Sequence, residues 1–285
     1  MTTTKPNTKR LLAALTVGIG LLSATESAQA QEIQLTGPLA GAPAVRKLRL
    51  YRQNRFEIAP AVTFTLLDEY QRTIFLGARL TYNFTDWLGI GAFGAYGGVL
   101  QLPTALTDHI QEVNADRRTR PPDDLSRRLT AVNLGENFED QLGSMDWMVA
   151  PQITIVPFRG KLALFQSIYL DTDLYFFGGP AFVGLTERGD CDPCANDFTR
   201  QARMAIAPTF GLGFAFYMSK WSALGFEYRG LPMAWNTGGF DTAGGGVDEE
   251  FPDNRITSAD QRFHYNQMLT VSFNVYLPTQ YKVSE

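Results

Sequence analysis

The chain has 285 residues, of which 45% are hydrophobic, 12% aromatic and only 19% charged, with a formal charge of −4. That mild acidity argues against nucleic acid as a main partner. Beyond Lys5 and Lys9 the only lysines are Lys47, Lys161, Lys220 and Lys282, far fewer than a water-facing surface normally carries.

Lys5, Lys9 and Arg10 precede an apolar run from Leu11 to Ala24 and then Ala28-Gln29-Ala30. The run is too short to span a bilayer as a helix, and small residues at Ala28 and Ala30 fit cleavage before Gln31, so residues 1–30 read as a secretory signal peptide. Its removal takes away Lys5, Lys9, Arg10 and Glu26, a net +2, and leaves −6. Residues 31–54 form a Pro-, Gly- and Ala-containing lead with Arg46, Lys47, Arg49 and Arg52 clustered ahead of the first strand, expected to be a periplasmic tether.

From Arg55 the pattern changes. In Ile74 to Phe84 one alternate set is Ile74, Leu76, Ala78, Leu80, Tyr82 and Phe84, and the other is Phe75, Gly77, Arg79, Thr81 and Asn83. Side chains on a strand switch faces with a period of two, so the segment offers one apolar face and one small or polar face over a membrane-spanning length. Strands are predicted over about 55–66, 73–84, 87–98, 145–158, 168–184, 203–218, 221–235 and 262–277. Eight is an even count, as bacterial barrels require.

The connections alternate in size. Thr85-Asp86, Arg159 to Ser167 and Ser219-Lys220 are short, whereas 67–72, 99–144, 185–202 and 236–261 are longer. Outer-membrane barrels have short periplasmic turns and longer external loops, which places both chain ends in the periplasm. The expected fold is all-β: an eight-stranded antiparallel up-and-down transmembrane barrel over 55–278, with a periplasmic tail at 279–285.

A lipocalin-like soluble barrel also alternates, with its apolar face inward. The polar face decides against it, because in the sixth strand that face is Ala205, Ala207, Thr209, Gly211, Gly213, Ala215 and Tyr217. Small residues suit the crowded interior of a narrow barrel. Aromatic residues collect at strand ends, with Tyr82, Phe84, Trp87, Phe158, Tyr217 and Trp221 by the short turns and Trp147, Trp235 and Tyr265 towards the long loops, as two interfacial girdles would.

Glu57, Arg79, Asp171, Asp173, Glu227 and Arg229 fall on the polar face, with His264 nearby. Facing lipid, an arginine at the midplane would cost roughly 2–4 kcal/mol, so these residues are assigned to the lumen as a paired network. The alternative is an ion path, but eight strands leave an interior just wide enough for side chains. Prolines recur in Ile58-Ala59-Pro60, Val149-Ala150-Pro151 and Ile206-Ala207-Pro208, with Pro180 in a fourth strand. Proline cannot donate to a ladder, so bulges are expected at these points.

Other constellations are weaker. Cys191 and Cys194, spaced C-x-x-C in an exported chain, are expected to form a local disulfide, since zinc would need two further ligands. Arg117, Arg118, Arg120, Arg127 and Arg128 in the second long loop offer charge-assisted contacts to lipopolysaccharide phosphates, against a bland reading as a solvated mixed-charge loop. The acidic stretch Asp248, Glu249, Glu250 and Asp253 matches no EF-hand spacing. His109 and His264 lack triad geometry, so no enzyme, metal or cofactor is expected.

Signal peptide, alternating strands and loop asymmetry together resemble the small OmpA-like outer-membrane barrels. Asn54-Arg55-Phe56-Glu57, Thr81-Tyr82-Asn83-Phe84-Thr85-Asp86-Trp87-Leu88 and Phe158-Arg159-Gly160-Lys161-Leu162 resemble the outer membrane beta-barrel domain family described mainly from myxobacteria. That resemblance implies an outer-membrane location, no enzymatic activity and, for some relatives, contact with envelope machinery. Two departures stand out: no peptidoglycan-binding domain follows the last strand, and Phe273 and Tyr276 are followed by Leu277-Pro278 and a polar tail instead of ending the chain. The expected role is an integral outer-membrane barrel of structural or interaction type, surrounded by lipid and binding through its external loops. A narrow channel and, less favoured, a lipid-modifying enzyme are the alternatives.

Overall fold

A computed structural model describes residues 49–121, 134, 137–164, 168–189, 199–242 and 256–283. The expected signal peptide at 1–30, Cys191 and Cys194, Arg127 and Arg128, and the acidic stretch at 248–253 lie outside these residues. In chain order the elements are β1 (Arg49–Leu50), β2 (Arg55–Leu66), β3 (Gln71–Asn83), β4 (Leu88–Pro103), α1 (Ala105–Thr119), β5 (Ser144–Leu164), β6 (Ile168–Arg188), β7 (Arg200–Tyr217), β8 (Ser222–Trp235), β9 (Arg262–Leu277) and β10 (Lys282–Val283). Strands β2 to β9 close into one antiparallel barrel in which each strand pairs with its sequence neighbour and β9 returns to β2. The first and last short strands, β1 and β10, pair with each other.

Closure follows from the two-faced strands. Leu76 and Leu80 are 56% and 57% exposed, while Phe75 and Arg79, each the residue before one of them, are buried. The same inversion runs round the wall: Ile58, Ile90, Ile153, Ile206, Phe214 and Leu269 point out, and Glu57, Gln152, Thr209, Glu227 and Thr270 point in. An antiparallel sheet with one apolar face must cover it or place it in an apolar medium, and this barrel closes with the apolar face of its strands outside.

Strand β5 continues to Leu164, beyond its expected end at 158, so its connection to β6 shrinks to residues 165–167. The 99–144 connection is not a plain loop, because it contains α1. Two residues assigned to the girdles are corrected. Tyr217 and Trp235, each 5% exposed, face the lumen, where the Tyr217 hydroxyl reaches Asp173 and the Trp235 indole N–H donates to Asn266. Trp87, Phe158 and Trp221 at one end and Trp147 and Tyr265 at the other are exposed.

The four prolines expected at bulges are accommodated without them. Register shifts fall at Ile74/Leu76, Met145/Trp147 and Ile155/Phe158; the last spans Pro157, which the sequence reading did not single out, and the other two span no proline. Instead, Pro60 pairs in register with Ala78, and the β2–β9 ladder skips its position on the other side. A strand residue points its N–H and C=O to one neighbour only, so a proline disturbs one ladder and leaves the other intact.

The interior is filled in two layers. Towards the long loops Phe75, Phe93, Met145, Met148, Leu185, Met233 and Met268 pack as an apolar cluster. Towards the short turns Tyr51, Tyr175, Phe177, Tyr217 and Tyr276 form a second, tyrosine-rich one.

Candidate functional site: the lumen network and the external rim

Polar groups thread the tyrosine layer. The Arg79 guanidinium reaches Glu57 at 2.5 Å, forms an ion pair with Glu227, and donates to the Tyr175 hydroxyl at 3.1 Å. The Tyr175 hydroxyl in turn donates to Glu227 at 2.7 Å. Arg229 donates to Gln152 at 2.9 Å and to Thr209 at 3.2 Å, and lies between the rings of Phe93 and Phe177 at 4.5 and 4.3 Å. A buried charge this far from water persists only when paired and hydrogen-bonded.

The structure thus brings together Glu57, Arg79, Asp173, Glu227 and Arg229. Asp171 sits at the edge of the group, where it accepts from the Tyr51 hydroxyl at 2.7 Å and meets Arg49 at 3.4 Å. His264 does not join; it packs edge-on against Trp235 near the external rim.

Sequence reasoning left out Arg52. Residues 31–54 read as a tether, yet Arg52 is buried inside the barrel, with its Nε 3.0 Å from Asp173 and its Nη1 3.2 Å from Glu57. Asp173 lies 121 residues away in sequence and Tyr217, another partner, 165, so no local pattern pointed to it. With Arg52 included, three arginines (52, 79 and 229) face three carboxylates (57, 173 and 227), and the core network is neutral.

Arg55 was likewise unassigned beyond its motif. It donates to the carbonyls of Tyr51, Pro278, Tyr276 and Lys220, tying the lead, the chain end and the β7–β8 turn to the start of β2. Two more motif residues cap the same end. Asp86 accepts from the Arg52 N–H at 2.8 Å and forms an ion pair with Arg159. Burial pushes the Asp86 carboxyl up, opposed by the Arg52 N–H and by Arg159, and burial with the Asp171 contact pushes Tyr51 up to about 12.

At the other end the loops pack on one another. Tyr70, Phe138 and Phe240 form an aromatic cluster with centroids 5.6–6.1 Å apart. Thr107 of α1 donates to the Tyr70 carbonyl, Gln111 accepts from the Phe138 N–H, and Gln141 donates to Gly238. The candidate lipopolysaccharide arginines divide here: Arg117 is buried and donates to Asn114 at 2.6 Å, whereas Arg120 is half-exposed and pairs with Asp116 at 3.1 Å. Arg118 lies half-buried on the same helix.

Two cavities open at this rim. One, about 80 Å³, is lined by Asp68, Tyr70, Trp235, His264 and Asn266. Burial raises the Asp68 carboxyl to about 6, against the opposing influence of Thr65 and Arg72. The other, about 240 Å³, is lined by Glu187, Arg188, Gln201, Arg203 and Asn236. Among the described residues no cluster of three metal-ligating side chains occurs.

No family model matches the chain, and no curated protein does. Among solved structures it is similar to the N-terminal β-barrel domain of OprF from Pseudomonas aeruginosa, at 9% identity over 79% of this chain and 98% of that one, with a TM-score of 0.41. OprG from the same organism matches at 9% identity over 79% and 97%, TM-score 0.36. Ail, the attachment invasion locus protein of Yersinia pestis, matches at 9% over 79% and 99%, TM-score 0.32. The fold itself rests on this chain's own strand pairing.

Proposed function

We propose that the chain is an integral outer-membrane β-barrel of structural or interaction type, closed to solute flow and presenting its packed external loops to partners. The observation that carries this reading is the inverted wall: leucine, isoleucine and phenylalanine outside, a neutral arginine–carboxylate network inside. That distribution is unfavourable in water and favourable in hydrocarbon. In this reading residues 1–30 are removed before Gln31, and the motifs at 54–57, 81–88 and 158–162 support kinship with the myxobacterial-type barrel domains. Those three motifs supply Arg55, Asp86 and Arg159, one each, to the periplasmic cap, which gives them a structural reason to occur together.

The reading assigns no catalytic role and no conductance. Two measurements test it. Refolded protein should migrate differently in gels before and after boiling, and planar bilayers containing it should show no stable multi-ion-sized openings. Loss of the heat-dependent shift would remove the barrel from the membrane, and a stable pore would replace the closed lumen by a channel. Capture from detergent-extracted envelopes, with α1 present or deleted, then asks whether the loops select a protein or lipopolysaccharide through Arg118 and Arg120.

A further inference from the structure

We infer that the barrel wall is split in its external half between β7 and β8, and that this seam admits the acyl chain of a surrounding membrane lipid into the apolar layer of the lumen. The inference rests on the membrane reading above.

The seam is visible in the pairing. Strands β7 and β8 are in register from Tyr217↔Ala223 to Phe210↔Gly230, and no pair between them follows among the described residues, although β7 continues back to Arg200 and β8 on to Trp235. Over the same stretch β7 remains paired with β6, and β8 with β9.

Prolines explain where it begins. Continued in register, the β7–β8 ladder would set Pro208 against Pro232. Pro180 does pair with Pro208 on the other side of β7, and the β5–β6 ladder skips the positions where Pro151 would face Pro180. Hydrogen-bonded and non-hydrogen-bonded pairs alternate across successive strands. If Pro180 points to β5, then Pro208 points to β8 and meets Pro232, so neither residue of that pair can donate. The β5–β6 ladder resumes beyond its gap, at Val149↔Phe182, but the β7–β8 ladder does not.

Side chains bridge the seam in place of backbone. Arg203 donates to the Ala234 carbonyl at 3.1 Å and to Glu187 at 2.6 Å, and Glu187 accepts from the Asn236 N–H at 2.6 Å. This latch borders the cavity of about 240 Å³. Below it the seam is apolar on both sides: Met204, Ile206 and Phe210 on the lipid face, and Ala205, Ala207, Leu231, Met233 and Trp235 on the lumen face.

A strand edge without ladder partners is a break in the wall, and the apolar side chains on both of its faces suit an apolar occupant better than water. The medium outside supplies one whose tail suits the seam and whose headgroup suits the polar latch. Met145, Met148, Met233 and Met268 behind the seam are the side chains best able to repack around a chain.

The experiment uses single-tryptophan variants of the full chain in vesicles of dibrominated phosphatidylcholine, since bromine quenches only at close range. Trp235 alone, obtained with Trp87, Trp147 and Trp221 changed to Phe, reports entry; Trp147 alone, on the lipid face, reports insertion. Trp235 should be quenched, about twofold less so after Pro208→Val with Pro232→Val, and more so after Arg203→Ala. Quenching of Trp147 with Trp235 unquenched would overturn the portal and leave the membrane reading standing; neither quenched would sink both. Trp235 shielded within a cross-linked dimer would assign the edges to a second copy and overturn the lipid assignment.

Discussion

Glu57 is the residue on which the lumen network turns, and Glu57→Gln tests it. The side chain is buried and bonds both Arg79 and Arg52. Glutamine keeps the shape and removes the charge, so three buried arginines then face two carboxylates. Breaking a buried pair by removing one partner costs about 3–5 kcal/mol, because the charge left behind is uncompensated. Two arginines lose a partner here, which places the variant at the upper end of that range. The assay is reversible urea unfolding in lipid vesicles followed by tryptophan emission, where the midpoint should fall without a change in slope. Glu57→Gln with Arg79→Met restores neutrality and should recover at least 1 kcal/mol relative to additivity, since residues in one network couple by about 0.5–3 kcal/mol. A single variant within about 0.5 kcal/mol of the parent, or strict additivity in the double, would refute the claim that charge balance stabilises this interior.

Arg55→Lys keeps the charge but replaces a planar fork by a point donor, so the four carbonyl contacts cannot all be met; the substitution should lower the unfolding free energy by about 2 kcal/mol or more, read by the same titration. Leu76→Arg on the lipid face should destabilise by up to roughly 2–4 kcal/mol, whereas Leu76→Phe should be near neutral; equal effects would place that face elsewhere. Asp68 carries a sign that can be checked. Its carboxyl is raised from 3.8 to about 6 in the folded chain, so its contribution to stability is fully present below pH 3.8 and is lost as pH rises through 6. Asp68→Asn should therefore raise the unfolding midpoint more at pH 8 than at pH 4, and a pH-independent difference would remove the burial argument.

Much of the barrel was legible because a strand's two faces are written locally. The alternation at Ile74 to Phe84 alone set Leu76 against Arg79, and repetition of that pattern defined all eight wall strands to within a few residues at most ends. The exceptions have physical causes. The β5–β6 hairpin runs past its predicted turn because Phe158-Arg159-Gly160-Lys161 looks like a turn by composition, while its backbone stays paired with Leu174, Asp173, Thr172 and Asp171. Tyr217 and Trp235 are aromatics at strand ends, yet parity places them inside, and parity is the stronger guide because it follows from backbone geometry and not from composition. Arg52 was invisible for a different reason: its partners, Glu57 excepted, are distant in sequence.

The prolines mark where local reading stops. Each one, taken singly, suggests a bulge, since a closed barrel has no edge strand and a bulge spares a ladder the missing donor. Only the register shows that Pro151, Pro180, Pro208 and Pro232 occupy one row across four adjacent strands. Arranged so, they do not each need a local remedy. Two pairs of them face each other where donors are required, and the disturbance is confined to two ladders while the one between them is spared. In β5–β6 the flanking pairs hold the wall shut; in β7–β8 the ladder ends, and Arg203 on the Ala234 carbonyl and Glu187 on the Asn236 N–H take over the work of joining the strands. A backbone ladder is continuous and hard to interrupt, whereas two side-chain contacts, Arg203 to the Ala234 carbonyl and Glu187 to the Asn236 N–H, open with the motion of two side chains. Replacing the first by the second is what converts a stretch of wall from fixed to openable.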